Sequence, residues 1–107
     1  MTTHLSIVTG ASRGMGEAIA AELLRSGHRV LGISRGTSAA LVATAREHDA
    51  TCEQWRADLA DPAPVARRLE TWLSGLDTAA VASVDLVNNA AAIPHIVPLE
   101  ASDADDL

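Results

Sequence analysis

A glycine-rich turn placed directly after a short apolar run is the feature that most constrains the fold of this chain. The apolar run is residues 5–8, and the residues that follow it, 9–16, read TGASRGMG. Glycine allows the chain to reverse tightly, another group to approach the backbone, and a following helix to pack closely on the strand. The sequence therefore predicts a strand, a tight turn and a helix at this point.

The first turn of the predicted helix suits a phosphate group. Its N–H groups have no partner within the helix, and the helix dipole places its positive end there. The glycines at 10, 14 and 16 would leave room for a dinucleotide pyrophosphate against the backbone. An ordinary strand–helix turn without a ligand is the alternative.

Strands and helices alternate along the rest of the chain. Strands are predicted at residues 5–9, 29–34, 51–57 and 84–88, and helices at residues 14–26, at residues 38–48 and from Asp61-Pro62 onward. The strands are short and mostly apolar, which is typical of a parallel sheet buried on both faces. Because crossovers between parallel strands are right-handed, we expect an α/β fold, the N-terminal half of a Rossmann-type doubly wound sheet with strand order 3-2-1-4.

Local signals mark the ends of the predicted helices. Gly27 is the expected left-handed stop of the first helix, and Ser38 is the expected N-cap of the second. Pro62 suits the first turn of the third helix. The third helix carries the clearest apolar stripe in the chain, made of Val65, Leu69, Trp72, Leu73 and Leu76.

Composition argues against several classes of protein. An apolar share of 48% with a net charge of −6 is typical of a globular, soluble domain. All the basic residues are scattered arginines, so we expect no nucleic-acid partner. The apolar stretches are too short for a membrane span, and the N-terminus lacks the pattern of an export signal. The one cysteine and the widely spaced histidines predict a buried Cys52, no metal site and a cytoplasmic location.

Three motifs, each placed after a predicted strand, together resemble those of the short-chain dehydrogenase/reductase family. They are Thr9-Gly10-x-x-x-Gly14-x-Gly16, Asp58-Leu59 and Asn88-Asn89-Ala90. The spacing of the glycines is that of this family rather than of the G-x-G-x-x-G dehydrogenases. Within the family, residues 32–35, Trp72-Leu73 and residues 93–100 are most similar to the bacterial benzil reductase and sepiapterin reductase branch.

The resemblance implies which residues contact a nicotinamide cofactor. It places Ser12 and Arg13 near the adenosine phosphates, and it implies that the Asp58 carboxylate accepts a hydrogen bond from the adenine amino group. It also implies that Asn88 joins neighbouring strand ends, while Asn89 lines the nicotinamide ribose. The full set of implied cofactor contacts is Gly10, Ser12, Arg13, Gly14, Met15, Gly16, Ser34, Arg35, Asp58, Leu59, Asn89, Ala90 and Ala91.

Several of these positions also have an explanation that needs no ligand. Arg13 is then a solvated surface charge, and Asp58 caps the following turn through its side chain. Asn88 and Asn89 are then a plain polar turn after a buried strand. The residues alone leave these alternatives open.

The end of the second predicted strand bears on the choice between NAD and NADP. Enzymes that prefer NAD usually carry Asp or Glu there, which bonds the ribose hydroxyls and repels a 2′-phosphate. This chain has Ser34-Arg35, and we expect Arg13 to lie beside them. Two guanidinium groups and a hydroxyl suit a dianionic phosphate, so we expect NADP(H) to be favoured over NAD(H). Ordinary surface arginines are the alternative.

The chain contains no Tyr and no Lys. In the family, a Tyr-x-x-x-Lys motif in the second half of the fold protonates the carbonyl and holds the ribose. The resemblance therefore implies that residues 1–107 are a single, partial NAD(P)-binding domain, truncated before the catalytic half and without a catalytic residue.

The resemblance also implies an activity for the complete protein. That activity is NADPH-dependent reduction of a small-molecule ketone or diketone, by an enzyme that is a homo-oligomer when complete. The 107-residue chain alone is expected to be inactive. A non-catalytic nucleotide-binding fragment is the alternative function.

Overall fold

Strand and helix alternate throughout the computed structural model, which describes residues 3–89. The elements are β1 (Thr3–Thr9), α1 (Gly14–Arg25), β2 (Arg29–Ser34), α2 (Ala39–Glu47), β3 (Cys52–Arg56), α3 (Pro62–Ser74) and β4 (Val81–Asn88). The strands form one parallel sheet in the order β3-β2-β1-β4. The predicted α/β fold and strand order are confirmed.

Two strands, β1 and β4, begin earlier than the apolar pattern predicts. β1 begins at Thr3 and β4 at Val81, because these residues extend the ladder between the two strands. The pairing shifts register between Thr3 and His4. Ladder hydrogen bonds use backbone groups that every such residue carries, so an apolar pattern underestimates strand length at an exposed end.

The sheet has a separate apolar cluster on each face, because successive side chains of a strand point to opposite faces. On one face, α1 and α2 pack on the sheet through a cluster made of Val8, Ala11, Ala20, Ala21, Leu24, Val30, Leu41 and Ala45. On the other face, α3 packs on a cluster made of Ile7, Leu31, Ile33 and Trp55. Burial on both faces explains why β1 and β2 are nearly continuous apolar runs.

The predicted helix ends are observed at α1 and α2. Gly27 has a φ of +87°, the left-handed conformation expected of a residue that stops a helix. Ser38 is the N-cap of α2, and its side-chain oxygen accepts a hydrogen bond from the Leu41 N–H at 3.2 Å. Both predictions rested on the local chemistry of a single residue.

Two details of the sequence-based prediction are wrong. Cys52 is half-buried rather than buried, since it lies in the edge strand β3 and packs against the periphery of the α1–α2 cluster. Its partial burial raises the pKa of the thiol. Leu76 lies beyond α3, which ends at Ser74 and is capped by Gly75.

α3 is the least buried helix of the described chain. None of its residues is fully buried, although Val65, Leu69, Trp72 and Leu73 all pack on the sheet. The rings of Trp55 and Trp72 meet edge to face with centroids 5.7 Å apart. Within residues 3–89, no helix combines the length and the apolar character needed to cross a membrane.

Candidate functional site

The glycine turn lies where β1 ends and α1 begins, at the carboxyl edge of the sheet. Gly10 and Gly14 have φ angles of +68° and +63°, which residues with a side chain rarely adopt. The Gly10 N–H donates to the carbonyl oxygen of Ile33 at 2.8 Å and so ties the turn to the end of β2. The turn is therefore held against the sheet by the backbone itself.

Gly16 allows the first turn of α1 to touch the preceding turn. A Cβ atom added at Gly16 would lie 2.0 Å from the carbonyl oxygen of Gly10 and 2.6 Å from Nδ2 of Asn89. Both distances are far below van der Waals contact. Only glycine fits here, and the resulting close approach brings the start of α1 directly over the ends of β1 and β4.

The N-terminus of α1 has no side chain that caps it. Arg13 occupies the N-cap position in an extended conformation, and its side chain makes no capping hydrogen bond. Met15, in the first turn, is 72% exposed. The positive end of the helix dipole therefore faces outward beside a glycine-lined surface, an arrangement that suits an anion such as a pyrophosphate.

A hydrogen-bonded group joins the ends of β1 and β4 beside the turn. The Thr9 hydroxyl donates to Oδ1 of Asn88 at 2.9 Å and accepts from the Asn89 N–H at 2.8 Å. Asn88 thus links the neighbouring strand ends, and Asn89 is carried to the first turn of α1. Ala90 and Ala91, predicted to line the same site, lie outside the described residues.

Ser34 and Arg35 lie at the end of β2, next to the glycine turn. Ser34 is buried, and its hydroxyl donates to the carbonyl oxygen of Gly36 at 2.9 Å. A Cβ atom added at Gly36 would lie 3.8 Å from Oγ of Ser12, which shows how close the two loops are. The predicted contacts Ser12 and Ser34 are therefore brought to one corner of the sheet edge.

Arg35 and Asp58 face each other across the ends of β2 and β3. Nε of Arg35 lies 3.9 Å from Oδ1 of Asp58, and both side chains are mostly exposed. Asp58 also accepts a hydrogen bond from the Ala60 N–H at 2.9 Å, as the turn-capping alternative predicted. Leu59 packs beside them on the α3-side cluster. Because both contacts use Oδ1 and the side chain is 60% exposed, the capping role leaves acceptor capacity for a ligand contact.

Three polar residues that support this edge have no cofactor role in the sequence analysis. They are Thr9, Glu17 and Gln54, and their contacts join elements far apart in the chain. Thr9 begins the glycine motif, but its partner Asn88 lies 79 residues away. No local pattern distinguishes Glu17 and Gln54 from ordinary polar residues, because their partner Ser38 lies 21 and 16 residues away. Within residues 3–89, no cluster of three or more His, Cys, Asp or Glu side chains could hold a metal ion.

The chain belongs to the short-chain dehydrogenase family, whose sequence model matches residues 4–107. It is 31% identical over 99 residues to a benzil reductase ((S)-benzoin forming) of Bacillus cereus, and the match covers 92% of this chain and 40% of that protein. The chain therefore spans less than half the length of this relative.

Solved structures give the same result. A short-chain dehydrogenase/reductase from Burkholderia vietnamiensis is 36% identical with a TM-score of 0.64, covering 94% of this chain and 45% of that one. An NADH-dependent reductase, A1-R′, complexed with NAD is 28% identical with a TM-score of 0.67, covering 96% of this chain and 42% of that one. The fold and the family resemblance inferred from the three motifs are confirmed.

Proposed function

We propose that this chain is the cofactor-binding half of an NADPH-dependent carbonyl reductase that converts a ketone or diketone to an alcohol. The observation that carries the proposal is the contact at Gly16, which leaves no room for a side chain between the turn and α1. Such close packing exposes the start of the helix to a pyrophosphate rather than to a side chain. The benzil reductase relative supports a carbonyl substrate.

The preference for NADPH rests on charge at the end of β2. Arg35 is exposed there, and the last residues of β2 include no carboxylate to repel a 2′-phosphate; the carboxylate 3.9 Å from Arg35 belongs to Asp58, which follows β3. Arg13 is exposed at the start of α1, next to Ser12, which lies near Gly36. A guanidinium stays protonated and offers forked donors, so the two arginines suit a dianion.

Ser34 needs a rearrangement to take part in phosphate binding. Its hydroxyl proton is used by the Gly36 carbonyl, and a phosphate oxygen would need that proton. Rotation of the hydroxyl proton would exchange one acceptor for the other. Arg35 is therefore the principal phosphate contact in this proposal, and Ser34 is a secondary one.

Within the proposed reaction, these residues bind and orient, and they carry no proton transfer. When bound, the nicotinamide would supply the hydride for the carbonyl carbon. The Asn89 backbone, fixed by Thr9, would form the wall of the site on the nicotinamide side. The chain has no Tyr and no Lys, so the proton donor expected for this family is supplied from outside residues 1–107.

The proposal is tested on the full-length gene product with benzil as substrate. Oxidation of NADPH that depends on benzil, and that is slower with NADH at the same concentration, is the expected result. Failure to oxidise either cofactor with benzil and with simple ketones would contradict the reductase proposal. Faster turnover with NADH would contradict the proposed cofactor preference.

A nucleotide-binding fragment without reductase activity is the second candidate function. The absence of Tyr and Lys from the chain favours it for the 107 residues alone. In that case the purified 107-residue chain binds NADPH and oxidises none of it in the presence of benzil. Catalysis by a preparation whose measured mass matches 107 residues would exclude this candidate.

A further inference from the structure

The side chain of Gln54 makes two hydrogen bonds to the backbone of Ser38. Its Oε1 accepts from the Ser38 N–H at 2.8 Å, and its Nε2 donates to the Ser38 carbonyl oxygen at 2.9 Å. Gln54 lies in the middle of β3, and it pairs in register with Gly32 of β2. An amide that bonds both polar groups of one residue fixes the orientation as well as the position of that residue.

The side chain of Ser38 continues the same set of contacts into α1. Its hydroxyl donates to Oε2 of Glu17 at 2.5 Å, while its oxygen accepts from the Leu41 N–H. Ser38 is 5% exposed, so these bonds are sheltered from water. The start of α2 is thus attached to β3 through Gln54 and to α1 through Glu17.

These contacts fix one end of the short segment that carries Arg35. The other end is fixed at Ser34, whose carbonyl oxygen accepts from the Ala57 N–H at 2.8 Å and whose hydroxyl bonds Gly36. Arg35 lies between the two fixed points. Its own side chain is 73% exposed and contacts Asp58 at 3.9 Å. An exposed contact of this kind holds a side chain weakly, so the direction in which the Arg35 side chain leaves the chain depends on the backbone of this segment.

We infer that Gln54 is a positioning residue that sets the discrimination between cofactors with and without a 2′-phosphate. It acts through Ser38, by holding the segment 34–38 so that Arg35 faces the phosphate. The inference rests on the proposed NADPH preference. It differs from a purely structural role, because a cofactor without the phosphate lacks the proposed contact with Arg35, whereas a general loss of structure would weaken both cofactors alike.

The test compares NADPH and NADH binding to the full-length gene product by titration calorimetry. Gln54→Leu removes both bonds to Ser38 while keeping a side chain of similar size. Glu17→Gln keeps an acceptor for the Ser38 hydroxyl, so it is a conservative change at a second residue that contacts Ser38. Ala45→Gly weakens α2 away from the segment and controls for general loss of helix stability.

Gln54→Leu is expected to weaken NADPH binding about five- to tenfold, the size of effect that one lost or misplaced hydrogen bond produces. NADH binding is expected to stay within about twofold, below the effect of one such bond. Glu17→Gln and Ala45→Gly should leave the ratio of the two affinities near that of the unmodified protein. If Gln54→Leu does not fold, Gln54→Met takes its place with the same expectation.

Equal weakening of NADPH and NADH by Gln54→Leu would show that Gln54 is only structural and would overturn the inference. A matching change of the ratio in Ala45→Gly would overturn it as well. The unmodified protein tests the proposed function separately. If that protein binds neither cofactor, or binds NADH more tightly, the proposed NADPH site fails before any variant is compared.

Discussion

At the scale of single residues, Gly16 is the position where the structure leaves least freedom. Its missing side chain lets the Gly10 carbonyl approach to a distance that no Cβ tolerates. Gly75 offers a contrast, because a Cβ added there would meet its nearest backbone atoms at 3.7 and 3.8 Å, which is ordinary contact. The two glycines therefore make a matched pair for mutation.

Gly16→Ala is expected to destabilise the protein by about 3 kcal/mol or more and to abolish NADPH binding, because the turn and α1 must move apart. Gly75→Ala should change the free energy of unfolding by less than about 1 kcal/mol. Denaturant unfolding and cofactor titration measure both effects. A Gly16→Ala protein with unchanged stability and affinity would refute the close packing described for this turn.

Arg35 is the residue on which the cofactor preference depends. Arg35→Asp is expected to weaken NADPH by roughly 1.5–3 kcal/mol, the contribution of one charge-assisted hydrogen bond. The binding of NADH should be weakened much less, because NADH lacks the phosphate. Arg67→Asp makes the same charge change on α3 and controls for net charge. Equal losses of the two cofactors in Arg35→Asp would identify Arg35 as an ordinary surface charge.

Asp58 shows what a sequence can and cannot predict about one residue. The motif after β3 predicted a functional carboxylate, and residue chemistry alone predicted a turn cap. The structure contains the cap, and it also places the same side chain beside Arg35. A carboxylate has several acceptor positions, so one local hydrogen bond leaves other positions available to accept. The sequence predicted the turn cap and the functional carboxylate as alternatives, but it could not show that one side chain can cap the turn and also lie beside Arg35.

At the scale of elements, helix existence and order were predictable, whereas depth of burial was not. α3 has the clearest apolar stripe in the sequence, yet α1 and α2 contain the fully buried residues. An amphipathic pattern reports which face of a helix avoids water. It does not report how much of the molecule covers that face, and the small residues Ala20 and Ala21 let α1 pack closely.

The contacts of Gln54 and Glu17 were beyond prediction for a related reason. Sequence patterns describe residues a few positions apart, whereas these side chains meet Ser38 only because three elements converge at one edge. Ser38 itself was predicted as an N-cap from local chemistry. Its role in joining α2 to β3 and α1 depends on the sheet order, which comes from the whole chain.

Two leucines test the difference between α1 and α3. Leu24→Ala in α1 should lower the free energy of unfolding by about 2–5 kcal/mol, because Leu24 is fully buried and its removal leaves a cavity. Leu69→Ala in α3 should cost less than about 2 kcal/mol, since Leu69 is only partly buried. Denaturant titration of the two variants measures both values. Equal losses in the free energy of unfolding would contradict the partial burial described for α3.

At the scale of the whole molecule, β4 is an outermost strand of the sheet within residues 3–89. β4 pairs with β1 on one side, and among residues 3–89 no strand pairs with its other side. Val84 and Leu86 on that strand are 48% and 64% exposed. An exposed strand edge with apolar side chains favours pairing with another molecule.

The 107-residue chain alone is therefore expected to self-associate, to unfold readily and to lack reductase activity. Its small size leaves little stability in reserve, and it has neither Tyr nor Lys for the proton transfer. Light scattering coupled to size-exclusion chromatography measures the association, and thermal melting measures the stability. A monodisperse monomer with a cooperative melt would contradict this expectation.

We propose that NADPH lies across the carboxyl edge of the sheet, from the glycine turn to the end of β2. Hydrogen exchange of the full-length gene product, measured by mass spectrometry with and without NADPH, tests it most directly. We predict that NADPH slows exchange in peptides covering residues 9–17 and 34–38 and leaves residues 48–51 and 77–80, at the opposite edge, unchanged. Protection at the opposite edge without protection of the glycine turn would contradict the claim.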